Sequence, residues 1–162
     1  MNPILKYTLW SQFGASIDML ENAINMCPEN VWDSKNKFWY NAYHCLFYLD
    51  YYLTVPPNGF LPPEPFTLSE FGDGLPERTY TQKELLTYLS FCRNKCYQLI
   101  SSLTDEMAYS YWINESQTMK YSVIEILLYN MRHVQHHTAQ LNLILRQEIN
   151  DAPRWVREAK NR

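Results

Sequence analysis

The sequence predicts an all-α protein, a single domain over residues 1–162, in which four long helices form one bundle and a proline-rich crossover joins the second to the third. Three observations predict it. Six of the nine prolines (Pro56, Pro57, Pro62, Pro63, Pro65, Pro76) fall between residues 56 and 76, together with three of the four glycines (Gly59, Gly72, Gly74). Gly and Pro interrupt regular structure, so this stretch reads as one long loop. The flanking segments are nearly free of both residues, and their apolar positions recur at spacings of three and four, the helical period. Helix start and stop signals bracket each of those segments.

The first helix runs from about Pro3 to Met26, with Pro3 in the first turn and Pro28 past the end. Its apolar stripe is Ile4, Leu5, Leu9, Phe13, Ile17, Leu20 and Ile24. The second, about Asn36 to Val55, carries Phe38, Trp39, Ala42, Leu46, Leu49 and Leu53, and Pro56-Pro57 ends it. Alternating aromatics at Phe47-Tyr48 and Tyr51-Tyr52 also suit a strand, but the run is too long for a typical one. The third opens on Thr81-Gln-Lys-Glu84, a capping-box pattern, and continues to about Leu103. The fourth opens on a second such pattern, Ser122-Val-Ile-Glu125, and reaches about Ile149, where Asn150-Asp151-Ala152-Pro153 stops it.

Composition excludes several classes of function. Hydrophobic residues make up 46% and aromatics 15% of the chain, ample for a packed core and contrary to disorder. A formal net charge of -3 gives no general attraction to nucleic acid or anionic lipid, so neither is an expected partner. No stretch reaches the roughly 20 apolar residues of a membrane span. Met-Asn-Pro-Ile-Leu-Lys at the start has no basic region followed by an apolar core, so no signal peptide is expected and the location reads as cytoplasmic. Cys27, Cys45, Cys92 and Cys96 then read as reduced, buried thiols rather than disulfide or metal sites.

The chemistry-bearing residues lie on two helices. His133 and His137 are four apart and share a helix face, whereas His136 lies about 60° beyond His133 on the side away from His137 and reads as solvated. Two co-facial imidazoles make half a metal site; His44, on the second helix, is the other histidine a bundle can bring against them. An HxxxH pair alone is more often packing or surface. Here Asn41, Asn130 and Gln140 stand three residues from His44, His133 and His137 on the same faces, and a buried row of polar groups is costly without a purpose. Tyr40, Phe47, Tyr48, Tyr51 and Tyr129 add an aromatic wall. Asn41, Tyr48, Asn130 and Gln140 are therefore the candidate cofactor-binding residues, and His44, His133 and His137 the candidate metal ligands. Cys45 should point about 100° from His44 and leave the site open. Asp50, Glu125 and Glu148 read as cap or solvent-face charges. No HExxH occurs, so the usual metalloprotease base is missing.

Arg132-His-Val-Gln-His-His-Thr-Ala-Gln-Leu141 resembles the fourth-helix signature of the DinB-like metal-binding family, and Phe38-Trp-Tyr-Asn-Ala-Tyr-His44 resembles that family's second-helix segment. Thr138-Ala139 replaces the commoner Arg-Gly before the glutamine. The resemblance implies a four-helix bundle, often a homodimer, with one divalent ion (zinc, nickel or iron) on His44, His133 and His137. It also implies a candidate thiol S-transferase or hydrolase acting on a small molecule, with a low-molecular-weight thiol as a cosubstrate of some relatives. The ion would lower the pKa of a bound water or thiol at the three histidines. The long loop would roof the pocket and offer Phe60, Leu61, Phe66 and Phe71 to an apolar substrate. The competing expectation is a non-enzymatic bundle with a structural ion, acting in dimerisation or partner binding; three protein ligands favour the first, four the second.

Overall fold

The computed structural model describes residues 1–72 and 74–160. In chain order the helices are α1 (Pro3–Met26), α2 (Glu29–Trp32), α3 (Phe38–Leu53), α4 (Gln82–Ser102), α5 (Asp105–Tyr109) and α6 (Val123–Ile149). A single turn of 3₁₀ helix, Leu68–Phe71, lies in the long loop, and strands β1 (Tyr111–Ile113) and β2 (Lys120–Ser122) form an antiparallel hairpin before α6. The protein is thus mostly helical, and the four long helices start and stop within two residues of the positions expected from sequence. The start signals act as anticipated at α4, where the Thr81 side chain accepts from the Glu84 amide and Glu84 returns a bond to the Thr81 amide. At α6 only the Ser122 half of the box forms. The hairpin strands, α2 and α5 are additions that helical periodicity could not reveal, because each is under six residues long.

The long helices pack in the cyclic order α1, α4, α3, α6, each against the next and α6 back against α1. The shared interior is filled by Phe13, Ile17 and Leu20 of α1, Phe38 and Leu46 of α3, Leu85 of α4 and Ile126 and Leu141 of α6, all essentially inaccessible to solvent. Removing such side chains from water is the main stabilising term, worth about 1.5–3 kcal/mol each. Two members of the expected α1 stripe depart from it: Ile4 and Leu5 are exposed. The start of α1 lies beside the last turn of α4, where Lys6 Nζ donates to the Ser101 carbonyl (2.8 Å).

Buried charge is handled by pairing. Asp50, expected on a solvent face, is instead buried: its carboxylate accepts from Tyr88 Oη (2.9 Å) and from Lys95 Nζ (2.5 Å), which also reaches Thr54 Oγ1 (2.6 Å). Glu125 and Glu148 are exposed, as expected. Asp18 is also inaccessible, and it ties down the chain after α6 by accepting from Arg93 Nε (2.9 Å) and from the Lys160 amide (2.6 Å). Among the described residues no helix is long and apolar enough to cross a membrane. All four cysteines are free and buried.

Candidate metal centre

α3 and α6 face each other along their length and bring the three candidate ligands together. One donor atom from each of His44, His133 and His137 lies within 4.8 Å of the other two, and the ring centroids are 4.4 Å (133–137), 4.7 Å (44–137) and 5.7 Å (44–133) apart. The cluster can hold a metal ion. Donors on a tetrahedral zinc ion stand about 3.3 Å apart, from Zn–N bonds of about 2.0–2.1 Å, so small ring rotations close the set. Among the described residues no fourth His, Cys, Asp or Glu joins it, and Cys45 is buried away from it as expected.

The outer atoms of two rings are already committed. His44 Nδ1 meets Glu70 Oε2 at 2.5 Å and His137 Nδ1 meets Gln140 Oε1 at 2.8 Å. Acceptors at Nδ1 fix the proton there and leave the Nε2 lone pair for an ion, the usual support of a metal-binding imidazole. His133 Nδ1 is buried without a partner, and so is Glu70 Oε1. Orphaned polar atoms at this depth are uncommon in a purely structural core. Burial, then the neighbouring His137 and His44, pushes the His133 imidazole down to about 3; burial and then His44 pushes His137 down to about 4. Both rings are therefore neutral near pH 7, the form that binds metal.

The remaining site candidates are placed differently from one another. Tyr48 stands beside the cluster, 4.9 Å from the His44 ring and 5.8 Å from His133, and its hydroxyl donates to the Glu70 carbonyl (3.1 Å). Asn130 is buried, with its amide donating across to the Leu49 carbonyl of α3 (3.0 Å); it joins the two ligand-bearing helices. Asn41 turns its amide onto the carbonyls of Asn36 and Lys37 (both 3.1 Å), at the start of α3 and away from the cluster. His136 is exposed, 5.1 Å from the His137 ring.

Glu70 and Glu115 escaped the reading of the sequence. Glu70 sits on the 3₁₀ turn, 26 residues from His44, and the turn is held by Tyr48 and by Tyr43, whose hydroxyl donates to the Thr67 carbonyl (2.9 Å). Its only signal in the sequence is that it lies in an unusually long loop.

The histidines form the floor of a cavity of about 940 Å³. Its walls come from α3, from the long loop and from the hairpin turn, and Glu115 Oε1 joins the last two by accepting from the Gly59 amide (3.0 Å). Phe60, Leu61 and Phe71 line it as expected; Phe66 does not, being stacked in the interior on Tyr88 at 4.4 Å. A second cavity, of about 730 Å³, lies behind His133 between α1, α6 and Trp155, but touches one ligand only. Comparison with protein-family models, with curated proteins and with solved structures gave no match for this chain.

Proposed function

We propose that this chain is a metal-dependent enzyme of the DinB-like kind, a four-helix bundle that binds one divalent ion through His44, His133 and His137 and acts on a small molecule by thiol transfer or hydrolysis. The observation that carries the reading is the placement of three imidazole donors, without a fourth protein donor among the described residues, on the floor of an open cavity. Structural ions are usually closed off by four protein ligands, whereas catalytic ones keep a position for water or substrate. An ion held there supplies Lewis acidity and a nucleophile at neutral pH. Glu70 and Gln140 hold two of the rings in the metal-binding tautomer. The loop and hairpin confine the substrate beside the histidines and limit water.

The test is the metal content of untagged protein, with His44→Ala and His137→Ala alongside, each checked for helicity. The expected result is about one ion per chain in the wild type, lost in both variants with the fold retained. A folded wild type that contains no ion and takes up neither zinc nor nickel overturns the proposal.

A further inference from the structure

The large cavity also carries information about what it accepts. Six aromatic rings, Tyr48, Tyr51, Tyr52, Phe60, Phe71 and Tyr129, dominate its walls, and among the described residues no lysine or arginine lines it. Lys95, behind the wall, stands 5.8 Å from the Phe60 ring and is consumed by Asp50 and Thr54. The hairpin turn at the rim satisfies itself: Asn114 Nδ2 donates to Ser116 Oγ and Thr118 Oγ1, both at 2.9 Å, and Asn114 Oδ1 accepts from the Met119 amide at 2.8 Å. Among the described residues, the one charged side chain on the rim is a carboxylate, Glu115. Pockets for carboxylate or phosphate groups use Arg, Lys or a cluster of free backbone amides, and an unpaired anion against apolar walls is costly.

We infer that this cavity takes an uncharged or cationic small molecule with a planar apolar body, and rejects molecules bearing an anionic group on that body. The inference deepens the proposed function and rests on it only for what is done to the bound molecule; the choice of molecule follows from the walls. An ion on the three histidines attracts one anionic atom at the floor, and among the described residues no cationic side chain above it pairs with a second. Among thiols, this selects against those that carry carboxylates. Aromatic faces favour flat rings and tolerate a positive charge, which Glu115 reinforces at the rim.

Two dyes of one shape separate the alternatives: N-phenyl-1-naphthylamine, which is uncharged, and 8-anilino-1-naphthalenesulfonate, the same skeleton with a sulfonate. Fluorescence titration of the full chain, with a chelator present so that no ion attracts the sulfonate, is expected to give the uncharged dye an affinity at least about tenfold higher, or about 1.4 kcal/mol. Leu61→Lys places a cation at an exposed position of the lining and is expected to raise sulfonate affinity several-fold at little cost to the fold. Equal or tighter binding of the sulfonate by the wild type overturns the inference. So does Leu61→Lys leaving both dyes unchanged, which places them elsewhere. A chain that shows the expected preference but takes up no zinc overturns the metal reading and leaves this one standing.

Discussion

Replacing Glu70 asks whether the long loop takes part in holding the proposed metal site. Its carboxylate is 3% exposed, so water does little to screen its 2.5 Å contact with His44 Nδ1. Hydrogen bonds to a charged partner contribute about 1.5–3 kcal/mol, and losing such a support typically costs a metal site about 10–100-fold in affinity. Glu70→Gln keeps the shape and leaves an amide oxygen to accept from the ring, so zinc affinity should fall about tenfold, near 1.4 kcal/mol. Glu70→Ala removes the acceptor altogether and should approach about 100-fold. Tyr43→Phe is the control, because it cuts the tether of the same loop at Thr67 without touching a ligand ring. Competition against a chromophoric chelator measures all four proteins, with circular dichroism for the fold. If both Glu70 variants bind zinc within twofold of the wild type, the carboxylate does not support His44. If Tyr43→Phe loses as much as Glu70→Ala, the loop matters only by covering the site.

Two further perturbations test the frame around the site. At Gly14 an added Cβ would stand 2.6 Å from Ala159 Cβ, so Gly14→Ala should release the chain after α6 despite the better helix propensity of alanine, and faster hydrogen exchange of the Ala159 and Lys160 amides would report it. Adding Ala159→Gly should restore slow exchange; failure to do so would refute the steric account. The Arg78 guanidinium holds the Glu84 carboxyl down to about 2 from 4.5, so the pair's stabilisation is fully present above about pH 4.5 and disappears as pH falls through about 2. Because the pair is largely exposed the effect is small: the difference in urea midpoint between wild type and Glu84→Gln should shrink towards pH 2, and growth on acidification would contradict the assignment.

Much of this architecture was legible because it is local. The i, i+4 spacing of His133 and His137 puts both rings on one face of any helix, and the three-residue offset of Gln140 puts its side chain against His137; neither depends on the rest of the chain. The start of α4 follows likewise from Thr81 and Glu84, which satisfy the first free amides of the helix. His44 was legible at one remove, because long helices packed side by side offer few ways to place a lone histidine against that face.

Other features depended on contacts between distant segments. Asp50 has the local sequence of a surface charge, and only the packing of α3 on α4 makes it a buried partner of Lys95 and Tyr88. Asn130 lies on the ligand side of α6, yet its amide goes to a carbonyl 81 residues away that happens to be within reach. Phe66 and Phe71 look alike in the loop, but one is stacked in the interior and the other lines the cavity. Sequence by itself determined which residues share a helix face, because the period of the helix is a property of the backbone. Glu70 behind His44, and Glu115 closing the rim onto Gly59, were decided by tertiary structure alone, because the loop and hairpin that carry them have no repeating geometry and take their course from the surfaces they pack against.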